Sequence, residues 1–346
     1  MTKPLVVITG LQAAENPSPG VAVARSLKAI GVKTLGIVYS GLETGAHMPG
    51  LFDKVLRFSK PEENLDLFFE QFDKVMDEYH PSLIILTLDP EIPLFADRYY
   101  NSHIQCRYPV LVPRPSSLGS IHKLNLPEFA SKFGLRFPRQ EIAYCVEDVE
   151  KAVKRFGLPV MLKGQWYEAY EIEHLDETPH YFRELTKRWK LPLIVQQKIS
   201  GSEITIACLC DRGSRLINYG MIRKWGKSSQ GKTWCAVTFS NPDYINIVQN
   251  MLFELQWVGP CEIEFFVNEH SGMLTMFEFN MRLPSWIYLG AETGVNFPEN
   301  ILKIVESKPL DKKCIEPGKA FARVAIDYAV PIERILALET LGKING

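Results

Sequence analysis

Three glutamates, an asparagine and an arginine fall at even positions within residues 261–286, CEIEFFVNEHSGMLTMFEFNMRLPSW: Glu262, Glu264, Glu278, Asn280 and Arg282. The odd positions include Ile263, Phe265, Val267, Phe277 and Phe279. In a β-strand, alternate side chains share a face. Two strands joined by the polar turn Asn268-Glu269-His270-Ser271-Gly272, with Val267 opposite Met273, gather the polar groups on one face and the apolar groups on the other. A slip of one residue would mix the faces, so the pattern selects the register. Carboxylates crowded on one face repel each other unless a cation is present. Hard divalent cations such as Mg²⁺ take oxygen ligands and bind through one or two carboxylates plus substrate phosphates. Glu264, Glu278 and Asn280 suit that role. Arg282 offers a planar fork to phosphate or carboxylate. The same pattern also fits an amphipathic hairpin whose charged face is solvated.

Glu278-Phe279-Asn280-Met281-Arg282 resembles the E-x-N-x-R signature of the ATP-grasp superfamily, and Glu264 matches the acidic residue those enzymes place on the preceding strand. Other segments resemble the family in the same order. In residues 122–139 a lysine, Lys123, opens a helix that ends before G-x-x-x-P, here Gly134 and Pro138. His122 stands where family members usually have Asp. Residues 157–164, GLPVMLKG, resemble G-x-P-v-v-x-K and place Lys163 at the strand end. Residues 193–210 resemble the family's hinge, where backbone groups of Gln196, Gln197, Lys198 and Ile199 pair with adenine and Glu203 takes the ribose hydroxyls. The poorest match follows Lys163. Many of these enzymes carry a glycine- and serine-rich loop there; this chain has Gln165-Trp166-Tyr167-Glu168-Ala169-Tyr170. Either an aromatic lid of Trp166, Tyr167 and Tyr170 replaces the loop, or a loop after residue 221 takes over, or turnover has been lost.

The resemblance implies an α/β and α+β fold. A Rossmann-like (pre-ATP-grasp) domain covers residues 1–115. A two-subdomain ATP-grasp fold follows, with a lid subdomain over 116–195 and a metal-bearing C-terminal subdomain over 196–346. It implies an ADP-forming ligase: a small carboxylate, an amino acid being one class, becomes an acyl phosphate and is coupled to an amine or similar nucleophile. Lys163 and Arg282 would be catalytic. ATP would be bound by Lys123, Lys163, Gln196, Gln197, Lys198, Ile199 and Glu203. Mg²⁺ or Mn²⁺ would sit on Glu264, Glu278 and Asn280. The alternatives are a non-catalytic ATP-binding regulatory protein and a carboxylase-type member, although no biotin-carrier segment is evident.

The elements that must position these residues are legible in turn. Pro4–Thr9 reads as a buried parallel strand, followed by a loop to Gly20, a helix over Val21–Ile30 and a strand over Val32–Tyr39. This βαβ opening lacks a G-x-G-x-x-G pattern and an acid after the second strand, so a dinucleotide-binding reading fails. Residues 64–79 form an amphipathic helix, and Leu83–Leu88 a strand. Asp89 and Glu91 lie beyond that strand's carboxyl end and are candidate substrate contacts. Pro113–Ser120 reads as a linker. Helices are expected over Val146–Phe156, residues 178–190, Asp243–Gln256 and Phe297–Ser307. Ile222–Trp234 reads as a cationic loop whose Arg223, Lys224, Lys227 and Lys232 could meet phosphate or an anionic substrate. The 346 residues, 46% hydrophobic and 23% charged, describe an ordinary globular chain of two or three domains. A net charge of -1 disfavours a broad nucleic-acid surface. No apolar run is long enough to cross a membrane. Seven cysteines without a CxxC pair point to the cytoplasm, and a homodimer is left open.

Overall fold

A computed structural model describes residues 3–13, 17–101, 107–166, 168–228, 231 and 233–346. Tyr167 and Lys232, singled out above, lie outside the described residues. The chain divides into two compact units. One comprises Met1–Gly119, Thr205–Glu262 and Asn280–Gly346; the other comprises Ser120–Ile204 and Ile263–Phe279.

The chain opens with β1 (Leu5–Ile8), α1 (Gly20–Lys28), β2 (Lys33–Val38), β3 (Lys54–Arg57), α2 (Leu65–Tyr79), β4 (Leu83–Ile85), α3 (Glu91–Asn101) and α4 (Pro115–Ser120). β1 pairs in parallel with β2 and β4, and β2 with β3. Val6, Val7, Ile8, Leu83, Ile84 and Ile85 are all buried, as a parallel sheet covered on both faces requires. α2 is started by a side chain: Asn64 caps its first turn by accepting from Leu67 N–H at 3.0 Å. Its Phe68, Phe69, Phe72 and Val75 are buried. The chain runs from β1 out to β3, then returns to β4 on the other flank of β1. The carboxyl ends of β1 and β4 therefore border the point where the direction of winding reverses, the usual ligand crevice of such sheets.

The second unit contains α5 (Leu126–Lys132), β5 (Gln140–Ala143), α6 (Val146–Phe156), β6 (Val160–Lys163), β7 (Ala169–Ile172), α7 (Thr178–Trp189) and β8 (Leu193–Gln197). Its sheet runs β5-β8-β6-β7, and each neighbouring pair is antiparallel. α6 and α7 cover one face through Val149, Ala152, Val153 and Leu185, which pack with Val160, Leu162 and Val195.

The remaining elements are β9 (Ser202–Cys210), β10 (Leu216–Lys227), β11 (Thr233–Thr238), α8 (Pro242–Glu254), β12 (Gly259–Val267), β13 (Leu274–Asn280), α9 (Tyr288–Glu292), α10 (Phe297–Val305), β14 (Lys313–Cys314), β15 (Ala320–Ala322), α11 (Ile332–Leu341) and β16 (Lys343–Asn345). A seven-stranded sheet runs β13-β12-β9-β10-β11-β15, with β14 beside β10. β16 closes the first sheet, antiparallel to β3.

Three expectations are corrected. The segment read as a linker ends in α4, where the Ser117 hydroxyl is buried and donates to Leu255 C=O at 2.7 Å. The cationic loop is mostly strand: β10 continues through Arg223, Lys224 and Lys227 and pairs with β11 across bulges at Gly226. At the hairpin turn, Asn268 N–H donates to Met273 C=O and Gly272 N–H to Asn268 C=O, so Asn268, not Val267, faces Met273. The alternation along β13 then breaks at Phe277 and Glu278, both half-buried between buried Met276 and buried Phe279. Asn280 Nδ2 nevertheless reaches Glu262 Oε2 at 3.3 Å.

Candidate active site

In the second unit the two motif lysines meet. Lys163 ends β6, and Lys123 precedes α5. Burial pushes the Lys163 ammonium down to about 8; Glu278 and Glu264 pull it up, while Lys123 opposes them. Lys123, Glu264 and Glu278 thus all lie within electrostatic reach of Lys163. Lys163 also lies 5.9 Å from the centroid of the Phe277 ring, which itself packs on Phe266 at 4.5 Å. A narrow cleft is lined by Lys123, Gln140, Lys163, Gln196, Phe277 and Glu278 among others. Gln140 links the cleft together. It donates to Lys123 C=O at 2.8 Å and accepts from Gln196 Nε2 at 3.3 Å. Nothing in the motif spacing pointed to Gln140; its only signal is a polar side chain on a strand that pairs with the hinge strand. Beside Lys123, burial and the lysine's charge push His122 below its ordinary range.

After Lys163 the chain returns as β7, antiparallel to β6. Lys163 pairs with Ala169, and Gly164 N–H donates to Glu168 C=O at 3.1 Å. Lys123 Nζ donates to Trp166 C=O at 2.9 Å and Gly164 C=O at 3.4 Å. Glu168 holds a left-handed backbone at φ 63 and bonds Arg188 and Trp189 through its carboxylate. Tyr170, expected in an aromatic lid, is packed on a helix. It lies in β7 and stacks on Tyr181 of α7 at 4.6 Å.

Of the expected hinge, Gln196 and Gln197 lie within β8, and Gln197 N–H donates to Arg139 C=O at 2.8 Å. Lys198 and Ile199 lie past the strand end, and Lys198 pairs with Glu171. Glu203 is half-buried at the start of β9, in the same unit.

Asn280 and Arg282 belong to the first unit, where they form a second cluster. Glu262 accepts from Asn280 Nδ2, from Arg282 Nη1 at 3.2 Å and, through its other oxygen, from Trp286 Nε1 at 3.1 Å. Asp89 grips the same motif from the end of β4: one oxygen takes Met281 N–H and the other Arg282 Nε, both at 3.0 Å. Both carboxylates are buried. Asp89, a candidate substrate contact from the sequence, is bonded to the motif backbone and to the motif arginine. Glu91 is likewise engaged internally, accepting from Thr9 Oγ1 at 2.5 Å and from Tyr39 Oη. Burial pushes its carboxyl up to about 7, a shift that its hydrogen bonds to Thr9 and Tyr39 oppose. Glu43 ties the loops after β1 and β2 by accepting from Leu11 and Tyr39 N–H groups.

No protein-family model and no curated protein sequence matches the chain. Solved structures do. The biotin carboxylase domain of the Hydrogenobacter thermophilus 2-oxoglutarate carboxylase, solved with MgADP and bicarbonate, is 17% identical, with 92% of this chain and 74% of that one covered at a TM-score of 0.67. An L-amino acid ligase from Bacillus licheniformis is 17% identical over 92% and 78%, at 0.64. The N5-carboxyaminoimidazole synthetase of Staphylococcus aureus is 12% identical over 92% and 82%, at 0.63. The fold is the ATP-grasp fold. At these identities the likeness is one of fold. Among the described residues, no three His, Cys, Asp or Glu side chains cluster to hold a metal. An ATP-grasp chain needs no such cluster for Mg²⁺, which is held by one or two carboxylates and the phosphates themselves. Glu264 and Glu278 both act electrostatically on Lys163. No helix among the described residues is long and apolar enough to cross a membrane.

Proposed function

We propose that the chain is an ATP-dependent ligase that activates a small carboxylate as an acyl phosphate and couples it to an amine or similar nucleophile, releasing ADP and phosphate. The observation that carries this reading is Lys163. Its ammonium is destabilised by burial and by Lys123, and it faces Glu264 and Glu278, an arrangement that a metal-bound polyphosphate would complete. Phosphoryl transfer asks a protein for position and charge neutralisation rather than for a covalent nucleophile. In this reading Lys123 and Lys163 bind phosphate oxygens, Gln196, Gln197, Lys198 and Ile199 form the adenine hinge, and Glu203 takes the ribose. Glu264 and Glu278 would hold Mg²⁺, which would spread the negative charge of the phosphates. Arg282, oriented by Asp89 and Glu262, faces the acid or its acyl phosphate. The N-terminal region is then the pre-ATP-grasp domain. Bicarbonate in the Hydrogenobacter structure favours a second reading, a carboxylase-type reaction with bicarbonate as the acid. The test supplies ATP, Mg²⁺, hydroxylamine and a panel of carboxylic acids including bicarbonate. ADP and a hydroxamate from one acid are the expected result, and Glu278→Gln should abolish both. ADP with bicarbonate alone selects the second reading. No acid-dependent ADP at all would leave a non-catalytic nucleotide-binding protein.

A further inference from the structure

Two arginines hang on the loop that follows β13, and their electrostatic settings are opposite. Arg282 meets two buried carboxylates. Arg323 meets none among the described residues. It lies just past β15, where its N–H donates to Trp234 C=O at 2.7 Å. Its guanidinium donates to three neutral acceptors, each at 3.1 Å: Thr233 C=O through Nη1, and the Ser285 carbonyl and hydroxyl through Nη2. The side chain is half-buried between exposed Ala322 and Val324, and burial holds its charge below the ordinary arginine range.

A guanidinium removed from water without an opposite charge is costly, and proteins resolve that cost by pairing it. Five N–H donors in a planar fork are also more than three acceptors of this kind use. Ser285 stands three residues after Arg282, so the uncompensated cation is anchored on the very loop that carries the motif arginine. We infer that Arg323, with the Ser285 hydroxyl beside it, is a binding site for a substrate carboxylate. A carboxylate matches the planar fork in two-point fashion and supplies the missing charge. This deepens the ligase reading and rests on it for the carboxylate's role in turnover, though not for the anion site itself.

The two dependences are separated by two measurements on the full chain. The first needs no turnover: thermal melting in sodium acetate against sodium chloride of equal ionic strength, for the wild type, Arg323→Met and Arg323→Lys. Acetate should raise the melting temperature of the wild type, leave Arg323→Met unmoved, and act weakly on Arg323→Lys, which keeps the charge but not the fork. An equal acetate response in the wild type and Arg323→Met, no response in either, or a stronger response to phosphate than to acetate overturns the assignment. The second is the hydroxylamine assay. Arg323→Met should raise KM for the activated acid roughly ten- to a hundredfold, the scale of hydrogen bonds to a charged group, with KM for ATP unchanged. If instead only a carboxylate-bearing amine nucleophile shows the raised KM, the site holds the nucleophile's carboxylate. If neither KM rises, Arg323 binds no substrate. A wild type that responds to acetate yet turns over no acid keeps the site and fails the ligase reading.

Discussion

Lys163 carries its charge against the opposition of its surroundings, and that has a measurable sign. Its ammonium loses its proton near 8 rather than 10.5. The unfolded chain therefore holds more protons between these values, and folding stability should rise with pH across that window. Lys163→Met should remove this rise, as urea unfolding at pH 7.5 and 10 would reveal; parallel pH dependence in both proteins would refute it. Bound phosphates reverse the balance. ATP binding near pH 8 should take up protons, seen as a buffer-dependent heat in calorimetry, and Lys163→Met should abolish the uptake. Glu91 has the opposite signature. Its carboxyl is raised from 4.5 to about 7, so its contribution is present below 4.5 and is lost as pH rises to 7. The difference amounts to about 3 kcal/mol at most. Glu91→Gln, neutral at every pH, should gain stability relative to the wild type between pH 4.5 and 7.5. A constant difference between the two would show that Glu91 ionises normally.

At the scale of elements, the turn between β6 and β7 is a pinned structure. Lys123 holds the carbonyls of Gly164 and Trp166, while Tyr170 is fixed on Tyr181. Lys123→Met should speed amide exchange of residues 164–166 and leave α7 unchanged. Tyr170→Ala should cost about 2 kcal/mol of stability, checked by chemical unfolding; a stable variant with altered turnover would restore Tyr170 to the lid. Sequence periodicity located most of these elements because burial imposes it. α6 spans the expected Val146–Phe156, and α2 and α8 begin at asparagine caps beside the expected starts. What escaped it has physical causes. β7 is only four residues long and its one aromatic, Tyr170, packs on a helix, so it reads as a loop. Leu216–Met221 of β10 reads as a strand, but Arg223, Lys224 and Lys227 hide its continuation. The motif lysines and acids were legible from type and spacing. Gln140 and Arg323, and the role of Asp89 as a clamp, were not, because each depends on a partner distant in sequence.

At the scale of the molecule, the first sheet draws its strands from both ends of the chain. β16 supplies Ile344, buried and opposite Val55 of β3, and Glu339 of α11 binds Ser40 and Gly41 after β2. Ending the chain after Gly342 should cost roughly 2 to 4 kcal/mol through lost ladder bonds and the burial of Ile344. Chemical unfolding would measure it, and unchanged stability would show that β16 is dispensable. The pairing of β16 with β3 also sets an order of events during synthesis. A ribosome delivers β1, β2 and β3 long before Ile344 leaves the exit tunnel, so β3 waits as an open edge while the rest of the chain is made. Such an edge invites pairing with strands of other nascent chains. Until β16 is made, β3 is the edge of the first sheet that most needs protection from such pairing.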